Sequence, residues 1–259
     1  MLENNTIELN LIPDLPESTK EEILNPSASL IGQAFRGIAH KVLDPLIRYN
    51  IVKDQEMIDF TNKVQNKTGA IPVENRDEST LGLTLKAVED ASYQLNSEKL
   101  REMFANLIAA TVDNRQNGEI LPSFSSILKD LSPDDAKLLS EIPHTGVLPI
   151  IAIRLNTSDH NSGITVAENI ILFENRIINN PVSVSSLERL GLISLQERIS
   201  LHTEENKKLY NEFKNNELYK RFEQQLPIDL SGDKLTNIST FEGKLQVTPF
   251  GEKFISVVL

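Results

Sequence analysis

Cysteine and tryptophan are both missing from the 259 residues. Without cysteine there are no disulfides, no cysteine-ligated zinc, no iron–sulfur cluster and no thiol nucleophile, and the composition fits a reducing cytoplasm. Positive charge is also short, with 26 Lys and Arg against 37 Asp and Glu and a formal net charge of −11. The deficit runs along the whole chain: 13 basic against 20 acidic residues over 1–130, and 13 against 17 over 131–259. A protein that grips a phosphate backbone concentrates Lys and Arg, so this balance disfavours nucleic-acid binding. No apolar run approaches the roughly 20 residues that span a bilayer. The opening "MLENNTIELNLIPDLPES" lacks the basic and apolar regions of a signal peptide, which sets the expected location as cytoplasmic.

Signatures of chemistry are scarce too. His40, His144, His160 and His202 are far apart, with no His-x3-His spacing for a metal. The sequence has no phosphate-loop glycine pattern, no nucleophile elbow and no dinucleotide fingerprint. The expectation is a protein that is not an enzyme, with no catalytic residue, cofactor or metal ligand assigned.

Hydrophobic residues at 39% and charged residues at 24% are a globular balance, and the length suits two domains. Residues 1–16 read as a flexible leader closed by Pro13 and Pro16, and "STKE" then offers a capping box from Ser18 to Glu21. In "ASLIGQAFRGIAHKVLDPLI", residues 28–47, helical spacing aligns Leu30, Ile31, Ala34, Phe35, Ile38, Val42 and Leu46. This amphipathic face reads as a core or bundle element, with a membrane surface as its rival partner. A polar helix over 53–67 ends near Gly69. Glu74, Asp77 and Glu78 in "IPVENRDES" read as a solvated connector rather than a divalent-cation site, and a helix over 79–94 carries Leu81, Leu85, Val88 and Ser92 on one side.

The strongest pattern is "LREMFANLIAATVDNRQNGEILPSFSSILKDLSPDDAKLL", residues 100–139. Asn96 or Ser97 caps a helix whose Leu100, Met103, Phe104, Leu107, Ile108 and Val112 have the spacing of a buried face, with Ala105, Ala109 and Ala110 allowing close approach. Gly118 suits a left-handed turn. Phe124, Ile127, Leu128 and Leu131 form another apolar row. Ser132, Pro133 and Asp135 are the cap, first residue and box partner of the next helix. Glu98, Glu102 and Asp113 read as ordinary ion pairs with the cations interleaved among them.

After Pro149, "PIIAIRL" reads as a strand and "TVAENIILFEN" as a helix of mixed propensity. "SVSSLERLGLISL" is a helix ended by Gly191 with a strand-like exit, and "VTPFGEKF" resembles the punctuation of a wing. Together these pieces suggest a winged helix-turn-helix, with residues 185–193 as the reading helix and 244–251 as the wing. Its candidate contacts to nucleic acid or a partner are Ser185, Ser186, Arg189 and Lys244. Arg189 is the one cation on the reading helix and Glu188 stands beside it, so a protein partner is favoured over DNA. Residues 202–226 balance five acids against five bases around Tyr210, Phe213, Tyr219 and Phe222. They read as a zwitterionic helix with one buried aromatic face.

The expected fold class is mainly α: an N-terminal helical domain followed by an α+β winged-helix-like C-terminal domain. The expected boundaries are a leader over 1–16, a helical domain over 17–131, and a winged-helix-like domain over 132–259 with the charged insertion near 203–226.

The blocks "LREMFANLIA", "PSF" and "LSPDDAKLL", within about residues 20–140, resemble the Abi-alpha family of bacterial proteins, which is grouped with abortive-infection phage defence. The resemblance implies a defence role through sensing or contact with a partner protein, a second copy or a phage component. It supplies no catalytic residues. Members of that family often carry a His before "PSF" where this chain has Leu121, a change that suits a packing position.

Overall fold

In a computed structural model of the chain, residues 54–259 are described, apart from 78, 175, 231 and 232. The leader, the Ser18 capping box and the amphipathic face from Leu30 to Leu46 lie outside the described residues. The chain divides into two compact units between Lys129 and Asp130.

The first unit is helical: α1 (Asp54–Gly69), α2 (Leu81–Ala91), α3 (Glu98–Thr111) and the start of α4 (Phe124–Asp130), with short 3-10 turns at Val73–Asn75 and Asn117–Glu119. Its centre is α3, packed by α1 and α2. The α3 side chains Leu100, Met103, Phe104, Leu107 and Ile108 are all buried, as are Ala105 and Ala110. A helix apolar over so much of its circumference can be satisfied only with neighbours on several sides. Ser97 caps it, accepting from Leu100 N. On α2 the buried side is Thr84, Ala87, Val88 and Ala91, with Asp90, so the helix is rotated from the expected Leu81, Leu85, Val88 and Ser92 face. Gly118 lies in the second 3-10 turn without a positive φ. Leu121 is 36% exposed, so packing does not explain that residue.

The second unit corrects the expected fold class. It is built on a six-stranded antiparallel sheet, which makes the protein α+β rather than mainly α. In chain order the elements are α5 (Pro133–Glu141), β1 (Val147–Thr157), β2 (Gly163–Phe173), β3 (Arg176–Ile178), α6 (Pro181–Arg189), β4 (Ile193–Glu197), α7 (Glu204–Glu212), α8 (Glu217–Gln224), β5 (Ile228–Leu230), β6 (Asp233–Val247) and α9 (Pro249–Val258). Strand order is β3-β2-β1-β6-β4, with β5 also on β6. The 15-residue β6 is not a wing: residues 244–251 are its end, the Thr248 cap and the first turn of α9. Of "TVAENIILFEN", residues 165–173 are strand, not helix. Its Ile, Val and Thr side chains suit a pleated surface, and β1 offers a pairing edge from Ile150↔Ile171 to Asn156↔Gly163, with register shifts on either side of Ile153.

Both sides of the sheet are partly covered. Ile151, Ile153, Ile170 and Leu172 project into a cluster with Tyr210, Phe213 and Tyr219, the aromatic face of the charged stretch. That stretch is two helices rather than one, divided by a 3-10 turn at Phe213–Asn215 and restarted by Asn216, whose side chain accepts from Leu218 N. The alternate residues Leu148, Ile150, Ile171, Leu245 and Val247 are buried on the opposite side. None of the buried residues of α6 joins the aromatic cluster, and α6 packs on α5, β2 and β4.

The sequence's capping signals are realised in this unit. Ser132 and Asp135 form the capping box of α5 with Pro133 at its first turn. Gly191, at φ 74, closes α6, with Leu192 N donating to Leu187 O and Gly191 N to Glu188 O. The turn is then clamped by the start of α9. Thr248 Oγ1 donates to Gly191 O at 2.6 Å and accepts from Gly251 N at 2.9 Å, while Thr248 N donates to Leu192 O at 3.0 Å. Gly251 sits so close to Leu192 that a Cβ would overlap its carbonyl oxygen.

Gly251→Ala should therefore cost about 1–3 kcal/mol of stability, the usual range for overpacking. Gly118→Ala, where a Cβ meets open space, should change stability by less than about 1 kcal/mol. Urea denaturation of the two variants checks the contrast.

Candidate functional site

Three arrangements of polar side chains are the candidates. The first joins α2 to α4. Asp90 is buried, and Lys86 Nζ donates to its Oδ2 at 2.5 Å while Lys129 Nζ donates to Oδ1 at 2.8 Å. Lys86 also donates to Ser125 Oγ at 2.9 Å and Ser126 Oγ at 2.7 Å. Serine beside lysine is a pairing used for nucleophilic catalysis when the amine is neutral and accepts the hydroxyl proton. Here the three N–H donors of the ammonium meet three acceptors, leaving no lone pair for a proton. The chemistry is that of a charge clamp.

Burial pushes the Asp90 carboxyl up, but hydrogen bonds from Lys129 and Lys86 outweigh it and hold the group below the ordinary value of 3.8. A depressed carboxyl stabilises the fold fully above its unfolded pKa, and that contribution is lost as pH falls through the folded value. Asp90→Asn should cost about 1–3 kcal/mol at neutral pH, the half-exposed lysines moderating the loss. It should also flatten the decline in stability below about pH 4. Urea denaturation of both proteins from pH 3 to pH 7 tests the two effects.

The second arrangement holds the residues chosen from sequence. Ser185 and Arg189 lie exposed on α6, in one stripe with Val182, which is 78% exposed. Ser186 is engaged, its hydroxyl donating to Asp135 Oδ2 at 2.9 Å and so tying α6 to the cap of α5. Lys244 is elsewhere. It pairs with Pro149 and Gln196, and strand alternation puts it on the side of Ile151, opposite the side on which α6 packs. The structure brings Ser185 and Arg189 together and does not bring Lys244 to them. Glu102 takes Lys63 at 2.9 Å and Lys67 at 2.6 Å, and Arg101 takes Asp59 at 2.7 Å, so these charges tie α3 to α1. His144, His160 and His202 are exposed. Among the described residues no group of three His, Cys, Asp or Glu is placed to hold a metal ion.

The third arrangement was not visible in the sequence. On the side of the sheet carrying Ile150, direct pairing sets Ala152 beside Phe241, and Gly243 beside Ile150 and Glu197. The register of β1 with β2 slips between Ile151↔Ile170 and Ile153↔Ala167, so Glu168 and Asn169 together face Ala152. This is a β-bulge, and Asn169 takes φ 55 in it. Across the strands Arg198 takes φ 61 just after β4 and lays its guanidinium over the Phe241 ring, 4.8 Å from the centroid. Between these two walls is a cleft of about 70 Å³. Glu242 also lines it, although strand alternation sends its side chain to the other side, where its charge acts on the Tyr210 hydroxyl. Gly243 leaves the floor open, and a Cβ there would crowd Gln196 O at 2.9 Å and Ile150 at 3.1 Å. The signal for this site was a non-glycine pair in left-handed backbone, which no sequence pattern announces.

Comparison with known proteins gives three findings. A family model described as abortive infection alpha matches residues 52–258. Among curated proteins no match was found. A solved structure of an uncharacterized protein from the hydrocarbon-degrading marine bacterium Alcanivorax borkumensis SK2 is 16% identical, covering 56% of this chain and 94% of that one with a TM-score of 0.30. At that level of superposition nothing about the present fold follows from it.

Proposed function

This chain belongs to the abortive infection alpha family, and on that premise we propose that it serves phage defence of the abortive-infection type, through contact with a protein partner or a second copy rather than through catalysis. The observation that carries the reading is the extent of the family match, which takes in nearly all described residues of both units. The surface of α6 supports the mode of action. Val182, Ser185 and Arg189 follow the i, i+3, i+7 spacing of one helix face and stand in solvent, an apolar centre beside a single cation. A helix reading DNA needs several donors on that face, and Lys244 is on the far side of the sheet. Among the described residues no helix is long and apolar enough to cross a membrane.

Cells expressing the protein from its native operon should resist phage at a low phage-to-cell ratio and collapse at a high one. Both plaque counts and culture density are followed, and absence of protection at either ratio would count against the reading. Val182→Glu combined with Arg189→Glu should abolish protection while shifting stability by no more than about 1 kcal/mol, since both residues are on the surface. Unchanged protection by the double variant would remove α6 as the contact face.

A further inference from the structure

The cleft beside the Glu168–Asn169 bulge is lined by a largely buried polar side chain that has no protein partner among the described residues. Asn169 is 9% exposed, lines the cleft, and makes no side-chain hydrogen bond within the described residues. Among the described residues no fully buried side-chain nitrogen or oxygen lacks a partner, so the Asn169 carboxamide keeps some exposure and meets solvent in the cleft. A largely buried amide is normally paired, and the left-handed backbone that aims this one adds to its cost.

The charges around it set the kind of occupant. Glu168 on the bulge and Glu197 at the end of β4 supply two carboxylates, against the single guanidinium of Arg198, and none of the three makes an ion pair among the described residues. The Phe241 ring already carries a planar cation, because Arg198 rests on it at 4.8 Å. At about 70 Å³ the cleft has room for roughly five waters, which is the size of a head group rather than of a nucleotide. The chain's net charge of −11 raises the local concentration of cations.

We infer that this cleft binds an N–H-rich cationic head group, a guanidinium or primary ammonium, carried either by a small amine or by a basic side chain of another protein. Asn169 Oδ1 accepts from it, Glu168 and Glu197 neutralise it, and Phe241 lies beneath it. Arg198 is the internal competitor for the ring. The assignment stands apart from the defence reading, because binding is measured on the purified protein and needs no phage.

Calorimetric titration of the full chain with agmatine, and separately with an arginine-containing neutral-capped peptide, tests it. Binding by either probe is expected, weakening as salt is raised. Agmatine alone would mark a small-molecule site and the peptide alone a protein contact. Asn169→Ala and Glu197→Gln should each lower affinity about tenfold or more, as for hydrogen bonds to a charged group. Arg198→Ala should tighten binding by freeing the ring. Asn169→Asp, which keeps the shape and adds a charge, should also tighten it, so that a folding defect in the alanine variant cannot decide the result. No binding of either probe up to about 10 mM, where any remaining affinity would be negligible, would overturn the inference. So would weakening of agmatine binding by Arg198→Ala, which would show that Arg198 supports the cleft rather than competing for the Phe241 ring.

Discussion

Antiparallel pairing of β1 with β6 is the constraint on which the second unit depends. The two strands are far apart in sequence, yet they pair from Val147↔Gln246 to Thr157↔Leu235. Closing so long a loop costs entropy before any contact repays it. The repayment is apolar burial on both sides. Ile151 and Ile153 face the aromatic helices, while Leu148 and Ile150 face the opposite layer with Leu245. A one-residue slip would exchange these sets and push Lys244 and Gln246 into an apolar layer. The same register sets Gly243 opposite Ile150 and Phe241 opposite Ala152, so the floor of the cleft is a direct product of the pairing.

Other devices lock that register. Tyr210 crosses from α7 to donate from its hydroxyl to Gly243 O at 2.6 Å, while Leu201 N donates back to the hydroxyl at 3.4 Å. Burial pushes the phenol pKa up, which keeps it a donor. The bond tethers the segment that follows Arg198, and so helps hold the cleft's second wall. At the other end of β6, Thr248 and Gly251 bind the α6 turn, fixing the closing helix against Leu192. In the helical unit the equivalent role falls to charge: Asp90 between two lysines, and Glu102 and Arg101 reaching across to α1.

Local signals in the sequence were legible wherever a short motif meets its own backbone requirement. Ser97, Ser132 with Asp135, and Gly191 do in the structure what their spacing announced, because a cap is decided within four or five residues. The core of α3 was legible from its apolar spacing for a similar reason. The strand "TVAENIILFEN" was not, since its apolar residues satisfy either period and only the edge of β1 chooses between them. Nor was the face of α2. Leu81 and Leu85 outrank Thr84 and Ala87 in hydrophobicity, but Thr84 bonds Thr111 at 2.8 Å and Asp90 needs both its lysines, and these long-range partners set the helix rotation.

The sequence by itself determined the helical core around residues 100–112 with its caps and helix ends, and it carried the family resemblance in the 100–139 block. These rest on local sterics, hydrogen bonding within a turn, and hydrophobic period. Tertiary structure alone decided that the second unit is an antiparallel sheet, that Lys244 and Arg189 lie on opposite sides of it, and that Asn169, Arg198 and Phe241 meet. Strand neighbours and a bulge are choices made between segments distant in the chain, and no residue carries the identity of its partner across such a distance.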